Sequence, residues 1–408
     1  MLQYCTKGKR EEGKRVILTP QVEFIIKKLN ENGHRADVVG GPVRDFLRGV
    51  APSDYDITTS ALPAETKAAF AEFKTVDTGI KHGTVTLVLE GAPYEITTYR
   101  IDGEYKDARH PESVQFTKAI EEDLARRDFT VNAIAYNPRD GITDPFFGRE
   151  DIKKGIIRAV GDPELRFSED ALRILRALRF SATLGFEIEE NTARALRCKA
   201  YLLREISAER IFTEWKKLLS GEFAYSVLSE YADLIPAFIP NIEALKLPER
   251  ESFAKGFMLR QAQLFYLSCE NPPLSCEGAM RALKTDSYTR EMSAKILGNV
   301  GKYRVLSSSD AGHMLSALGE DACELVLQLE AALGISDGKS LEILREYLEK
   351  GLPYKLSDLS VGGGEMKALG LSGKAVGDAL SALLSVVISG EVSNSPEELL
   401  AYTKAKIM

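Results

Sequence analysis

Asp54 and Asp56 stand one residue apart in Ser53-Asp54-Tyr55-Asp56-Ile57-Thr58-Thr59, and of all the residues in the chain they are the pair best placed to do chemistry. The segment reads as a strand, on which side chains alternate, so both carboxylates face one side and Tyr55 the other. Neighbouring carboxylates repel and are costly to keep ionised without a cation. Mg²⁺, a hard ion that takes carboxylate and phosphate oxygens, relieves that cost. Just upstream, Val38-Val39-Gly40-Gly41-Pro42-Val43-Arg44-Asp45 reads as an apolar strand, a double-glycine turn and a short helix. Glycines ahead of a helix leave backbone N–H groups open to phosphate oxygens. Alone, an Asp-x-Asp also fits a solvated strand end, and a Gly-Gly pair a tight turn. Together in one strand–helix–strand unit they point to nucleotide chemistry.

Three further groups join them. Glu95, in Tyr94-Glu95-Ile96-Thr97-Thr98-Tyr99, is a candidate third acid and equally well an exposed strand residue. Three acids around one or two Mg²⁺ ions suit phosphoryl or nucleotidyl transfer, with paired ions roughly 3.5–4 Å apart. Arg126-Arg127-Asp128-Phe129-Thr130-Val131-Asn132 offers two guanidinium groups for triphosphate oxygens and polar side chains for a ribose, or else a charged helix start. In Ser168-Glu169-Asp170-Ala171-Leu172-Arg173, Ser168 is a helix cap, and Glu169 and Asp170 both reach Arg173, at i,i+4 and i,i+3. The same run fits an amphipathic helix with Leu172, Leu175 and Leu178 packed inward. Yet an Asp beside an Arg is also a template: the carboxylate accepts from an exocyclic amine and the guanidinium donates to a ring acceptor. Cytosine and adenine present that pattern. Uracil and guanine set a carbonyl against the carboxylate, which leaves polar groups unpaired. Arg176 and Arg179 follow at three-residue steps, within reach of phosphates.

The elements that must position these residues are legible from periodicity. Val22, Ile25, Ile26 and Leu29 form one helical stripe over residues 20–33, after a polar arm at 1–20. Pro63 to Phe73 reads as a helix with Pro in its first turn. Thr84–Leu89 and Tyr94–Tyr99 alternate as a hairpin turned at Glu90 to Pro93. Residues 102–118 read as a mobile loop, and Asp123 to Tyr136 as helical. Beyond Asp162-Pro163 the pattern is helical to the end, with breaks near Gly221, Pro248, Asn271 and Ser307. The fold class expected is α+β: an N-terminal head with a small mixed sheet, followed by an all-helical remainder. A chain of 408 residues is too long for one core. No apolar run is long enough for a membrane span, and the N-terminus lacks the apolar core of a signal peptide. The five cysteines are scattered, with no C-x-x-C pair, which argues against a disulfide frame or zinc site and for a cytoplasmic protein. The net charge of −7 counts mildly against a nucleic-acid binder, although a local basic face can coexist with it.

Five segments carry a resemblance: Gly40–Asp45, Asp54–Thr59, Tyr94–Arg100, Arg126–Ala133 and Glu169–Arg173. In this order and at these spacings they resemble the bacterial CCA-adding enzymes, the CCA tRNA nucleotidyltransferases of class II, whose head is DNA polymerase β-like. The resemblance implies that Asp54 and Asp56 hold Mg²⁺ and that Glu95 is the third active-site acid. Gly41, Arg44 and Arg127 would contact the nucleotide. Asp170 and Arg173 would pair with the incoming base, Glu169 would hold Arg173, and Arg176 and Arg179 would complete the nucleotide site. It implies tRNA, CTP and ATP as partners, with no membrane and no obligate protein partner. It also implies a head at 1–155, a neck at 156–220, a body at 221–275 and a tail at 276–408. The loop at 102–118, with Gly103-Glu104-Tyr105-Lys106-Asp107, resembles the family's flexible loop linked to the final A addition. Leu369–Gly377 resembles the C-terminal segment that packs near the tRNA elbow. CC-adding and A-adding enzymes and bacterial poly(A) polymerases share this chemistry, and a non-catalytic RNA-binding protein could share the fold.

Overall fold

The computed structural model describes residues 18–52, 54–103 and 114–408. Two compact units divide at Glu230 and Tyr231. The first opens with Leu18, buried, and Thr19, whose hydroxyl caps helix α1 (Pro20–Glu31). The stripe Val22, Ile25, Ile26 and Leu29 is fully buried, and Gly33 at φ +86° turns the chain out of the helix. Strand β1 (Ala36–Val39), helix α2 (Gly41–Leu47), β2 (Asp56–Thr59), α3 (Pro63–Ala69), β3 (Lys74–Gly79), β4 (Thr84–Leu89) and β5 (Ala92–Thr98) follow. A short antiparallel pair, β6 (Arg100–Asp102) and β7 (Val114–Phe116), leads to α4 (Ile120–Ala125), β8 (Ala135–Asn137) and β9 (Gly141–Thr143). Among the described residues the sheet has seven strands in the order β3-β4-β5-β2-β1-β8-β9. Only β2 and β5 run parallel. The crossover between them is α3, β3 and β4, and α1 and α3 cover the apolar face with Ile57, Leu87 and Ile96 beneath.

Helices α5 (Gly148–Lys154), α6 (Pro163–Glu169), α7 (Leu172–Leu184), α8 (Glu190–Lys199), α9 (Ala208–Ser220) and α10 (Ala224–Glu230) complete this unit, with a two-residue parallel ladder of β10 (Ile156–Ile157) and β11 (Glu187–Ile188). The second unit is helical, from α11 (Phe257–Ser268) through α12 (Pro272–Ala282), α13 (Ser287–Asn299), α14 (Ser308–Leu318), α15 (Glu320–Ala332), α16 (Lys339–Glu349), α17 (Gly363–Ala368) and α18 (Lys374–Ile388) to α19 (Pro396–Tyr402). Its breaks fall where the sequence marks them: Asn271 caps α12, and Ser307 with Asp310 forms a capping box on α14.

Several expectations are corrected. Asp54 lies ahead of β2 rather than on it, since pairing with β1 begins at Asp56. The hairpin turn is tighter than expected, with β4 and β5 meeting at Glu90-Gly91. Asp123 to Tyr136 is not one helix. It ends at Ala125, passes through a single 3₁₀ turn at Thr130–Asn132 and continues as β8. A fully buried strand has no alternation, so periodicity alone does not separate it from a buried helix. Ser168 does not cap a helix. It sits in the last turn of α6, its hydroxyl donating to the Glu164 carbonyl, and the chain breaks at Asp170 with φ −141°. Of the expected loop at 102–118, the ends pair as β6 and β7, and residues 104–113 lie outside the described residues.

Candidate active site

The turn after β1 is built on Gly40, whose φ of +76° favours glycine. A Cβ there would also stand 3.0 Å from Arg127 Nη1, so the bare backbone makes room for that guanidinium. The Gly40 amide donates to the Ile134 carbonyl at 3.1 Å, which ties the turn to the segment that carries Arg127 and Asn132.

The carboxylates gather at the start of β2. Tyr55 packs onto the core while Asp54 and Asp56 remain exposed, so the two acids share a side although only Asp56 is in the ladder. The parallel register Ile57↔Ile96 sets Asp56 beside Glu95, both on the face opposite Ile57 and Ile96. Asp54, Asp56 and Glu95 line one open cavity of about 1110 Å³, with Phe46, Tyr55 and Tyr94 in its walls. Partial loss of water around its carboxyl raises the Asp56 pKa from its ordinary value. Asp54 adds to the shift, while Arg127 and Arg176 oppose it. Among the described residues no three His, Cys, Asp or Glu side chains stand close enough to cage a metal ion. The donor set is nonetheless all hard carboxylate oxygen, with two acids whose mutual repulsion a cation would lift. That fits Mg²⁺, which keeps several waters and binds through one or two carboxylates plus substrate phosphates.

Behind the acids stands a shell of arginines. Arg44, buried, donates to both Asp45 carboxylate oxygens at 2.9 and 3.0 Å and to Asn132 Oδ1 at 2.7 Å. Arg176 meets Asp128 at 2.6 Å, and Arg179 meets Glu214 of α9 at 2.8 Å. The Phe180 ring lies beneath three guanidinium groups, with Arg179 at 3.8 Å, Arg44 at 5.2 Å and Arg176 at 5.3 Å from its centre. Burial works against the Asp128 carboxylate, but Arg176 and the Asn132 amide outweigh it and hold the group at about 2. Burial lowers Arg179 to about 10, with Glu214 opposing. Burial also lowers Arg127, against the pull of Asp123. Arg127 Nη2 reaches Asp123 at 3.4 Å, and its buried Nε has no hydrogen-bond partner among the described residues. Such a group is arranged to receive a polyanion.

The expected base template is only partly assembled as read. Glu169 does hold Arg173, at 2.8 Å, and Arg173 also donates to the carbonyls of Arg166 and Arg126 at 3.2 and 2.9 Å. Asp170 does not pair with Arg173. Because it sits at the break between α6 and α7, its side chain leaves the helix face: Oδ1 accepts from the Leu172 amide at 3.1 Å and Oδ2 from Arg210 of α9 at 3.0 Å. Phe180, Glu214 and Arg210 were missed as site residues. Phe180 had a visible signal, its place beside Arg179, whereas Arg210 and Glu214 lie on α9 with no local sign of what they face.

With this geometry in view, comparisons decide the family. Residues 36–158 match the poly A polymerase head domain, and residues 185–244 the probable RNA and SrmB-binding site of polymerase A. Over 407 residues the chain is 38% identical to the CCA-adding enzyme of Geobacillus thermodenitrificans, covering 93% of this chain and 95% of that one. The chain belongs to the CCA-adding enzymes. The CCA-adding enzyme of Streptococcus mutans is 35% identical, over 94% of this chain and 96% of its own. The crystal structure of the Bacillus stearothermophilus CCA-adding enzyme in complex with CTP matches with a TM-score of 0.78 at 34% identity, over 95% of this chain and 98% of that one. As a family member the chain is a nucleotidyltransferase, an enzyme class that generally works with a divalent metal ion. Its α+β fold, a mixed-sheet head followed by a mostly helical remainder, is that of the CCA-adding enzymes. No helix among the described residues is long and apolar enough to cross a membrane.

Proposed function

We propose that this protein adds C, C and A in turn to the 3′ end of tRNA, from CTP and ATP, without a nucleic-acid template and with release of pyrophosphate. The observation that carries this reading is the placement of Asp56 beside Glu95 on parallel strands, with Asp54 in the same cavity and the arginine shell behind. Asp54 and Asp56 would hold Mg²⁺, which when bound lowers the pKa of the attacking 3′-hydroxyl and steadies the pyrophosphate. Glu95 is the third acid of the site. Gly41 would let backbone approach the triphosphate, and Arg44, Arg127, Arg176 and Arg179 would clamp its oxygens. Asp170 would accept from the exocyclic amine of cytosine or adenine, and Arg173, held by Glu169, would donate to the neighbouring ring nitrogen. Arg44 and Arg176 meet the substrate already oriented by Asp45, Asn132 and Asp128, so little freedom is lost on binding. The helical remainder would hold tRNA, divided as neck 156–220, body 221–275 and tail 276–408 behind a head ending at 155. The cytoplasm is the compartment proposed.

The test uses tRNA transcripts ending before CCA, after C and after CC. Each is incubated with Mg²⁺ and CTP, ATP, both, or UTP and GTP, and read at single-nucleotide resolution. Stepwise C, C, A and then a stop is expected. A halt after CC, addition only to the CC-ended transcript, or a long A tail would replace the reading with a CC-adding, an A-adding or a poly(A)-adding enzyme. No incorporation would leave a protein that only binds RNA.

A further inference from the structure

Three guanidinium groups of the arginine shell converge from two helices, Arg44 from α2 and Arg176 and Arg179 from α7. Their like charges act against one another: Arg176 and Arg44 both weaken the hold of Arg179 on its proton. Asp45, Asp128 and Glu214 each face one of them, at 2.9, 2.6 and 2.8 Å. For Arg179 that contact is close but poorly aimed. Its Nε and Glu214 Oε2 are both buried, and neither has a hydrogen-bond partner among the described residues. A guanidinium donates in its own plane, and its weakly hydrated face is left for another kind of partner. Phe180, 6% exposed, supplies that partner, with its ring centre 3.8 Å from Arg179 Cζ and 5.2 and 5.3 Å from those of Arg44 and Arg176. The Phe129 ring stands nearly perpendicular to it, at 83° with centres 5.9 Å apart, and fixes its tilt. We infer that Phe180 is a positioning residue for the triphosphate: the negative π-face of its ring, rather than its bulk, holds the three guanidinium groups together with in-plane N–H groups turned to phosphate oxygens. This inference rests on the reading of Arg44, Arg176 and Arg179 as the triphosphate clamp.

A buried phenylalanine on an amphipathic helix is ordinarily core packing, and two observations set this one apart. The ring stands against three positive charges, and bringing charges to a buried apolar group is costly unless they gain from its π-face. The guanidinium closest to the ring is also the one whose buried Nε goes unmatched, whereas an arginine kept only for structure normally has its buried N–H groups paired by the protein. The consequence is specific. An aliphatic side chain of similar volume would fill the same space and leave the repulsion among the arginines uncompensated. Phosphate oxygens would then have to gather the arginines at the moment of binding, and affinity for the triphosphate, rather than choice of base, would fall.

The experiment places phenylalanine carrying one, two or three ring fluorines at position 180 by amber suppression, since each fluorine drains charge from the π-face with little change of shape. Phe180→Leu, Arg44→Met, Arg176→Met and Arg179→Met stand beside the series. Dissociation constants for CTP, ATP and inorganic triphosphate are measured with Mg²⁺ present, and the Trp215 emission of each protein reports folding. Affinity for all three ligands is expected to fall stepwise with fluorine number, by about fivefold or more at three fluorines, as when a desolvated cation–π contact is lost. The CTP-over-ATP ratio should stay as in wild type, and Phe180→Leu should lose at least as much affinity as the trifluoro ring. Should Phe180→Leu fail to fold, the fluorine series decides alone. A flat series, or affinity that rises with fluorine number, beside a loss in the arginine variants overturns the role of the ring face. A loss in Phe180→Leu with a flat series also overturns it, because bulk alone would then be at work. Wild-type affinity for inorganic triphosphate in all three arginine variants removes the clamp reading itself.

Discussion

Asp128→Asn separates charge from shape at the centre of the arginine shell. Asp128 Oδ1 accepts from the Phe129 amide at 2.8 Å and the Asn132 amide at 3.1 Å, which an asparagine oxygen can still do. Oδ2 faces Arg176, so the variant turns an NH₂ group toward a guanidinium. The Asp128 carboxyl sits at about 2 against an ordinary 3.8. That gap of nearly two pH units corresponds to roughly 2 kcal/mol of stability at neutral pH. The full penalty of a broken buried pair, about 3–5 kcal/mol, does not apply, because the Arg176 side chain keeps 33% exposure and can turn to water. The folded-state value is depressed, so the contribution is present above pH 4 and is lost as pH falls through about 2. At pH 3 about half remains. The chain has one tryptophan, Trp215, which is 1% exposed and lies in the first unit, so its fluorescence follows unfolding of that unit. Urea unfolding of wild type and variant from pH 6 to pH 3 should show a gap of roughly 2 kcal/mol that narrows by about half. A gap that stays constant over that range, or no gap at pH 6, would refute the electrostatic account of this pair.

Other expected outcomes follow from single positions. Asp54→Ala and Asp56→Ala should each lower nucleotide transfer by about 100-fold or more while gel-shift binding of tRNA persists, and retained turnover would sink the metal assignment. Gly148→Ala places a Cβ 2.1 Å from the Thr130 carbonyl oxygen, in the turn that carries Asn132. It should cost about 2–3 kcal/mol by Trp215-monitored urea unfolding, and a neutral result would mean that the turn can move. Phe147 holds a left-handed φ of +60° with 69% exposure, so Phe147→Gly relieves strain and loses little contact. A gain of roughly 0.5–1 kcal/mol is expected in the same assay, and a loss would show that the ring packs usefully.

The parts of this molecule that announce themselves in sequence are those governed by neighbours along the chain. The stripe of α1, the glycine turn, the β4–β5 hairpin and the Glu169–Arg173 pair all follow from spacings of a few residues. What stayed hidden depends on distant partners. Spacing pairs Asp170 with Arg173, three positions away, whereas the partner that holds it is forty residues on, across a helix break that no local signal marks. The alternation at Asp54 and Asp56 reads as one strand, but the ladder starts only at Asp56, because the end of β1 sets that limit. β8 resembled helix because both of its faces are covered, by β1 and β9 along its edges and by the core above and below.

The order of strands in the sheet has a consequence for the chain as it is made. β1 lies between β2, which follows within twenty-odd residues, and β8, whose Tyr136 pairs with Val38. At about 5–20 residues per second, the ribosome takes roughly 4–15 s to go from the end of β2 to β8. For that interval one side of the buried strand Ala36–Val39 has its backbone donors and acceptors unpaired, and Glu95 joins Asp54 and Asp56 part-way through it. A nascent chain halted there would leave β1 as an open sheet edge next to the strand that carries Asp56, a template for pairing with another chain. Completion of β8 closes that edge and, through the Gly40 amide on Ile134, sets the glycine turn in the same step.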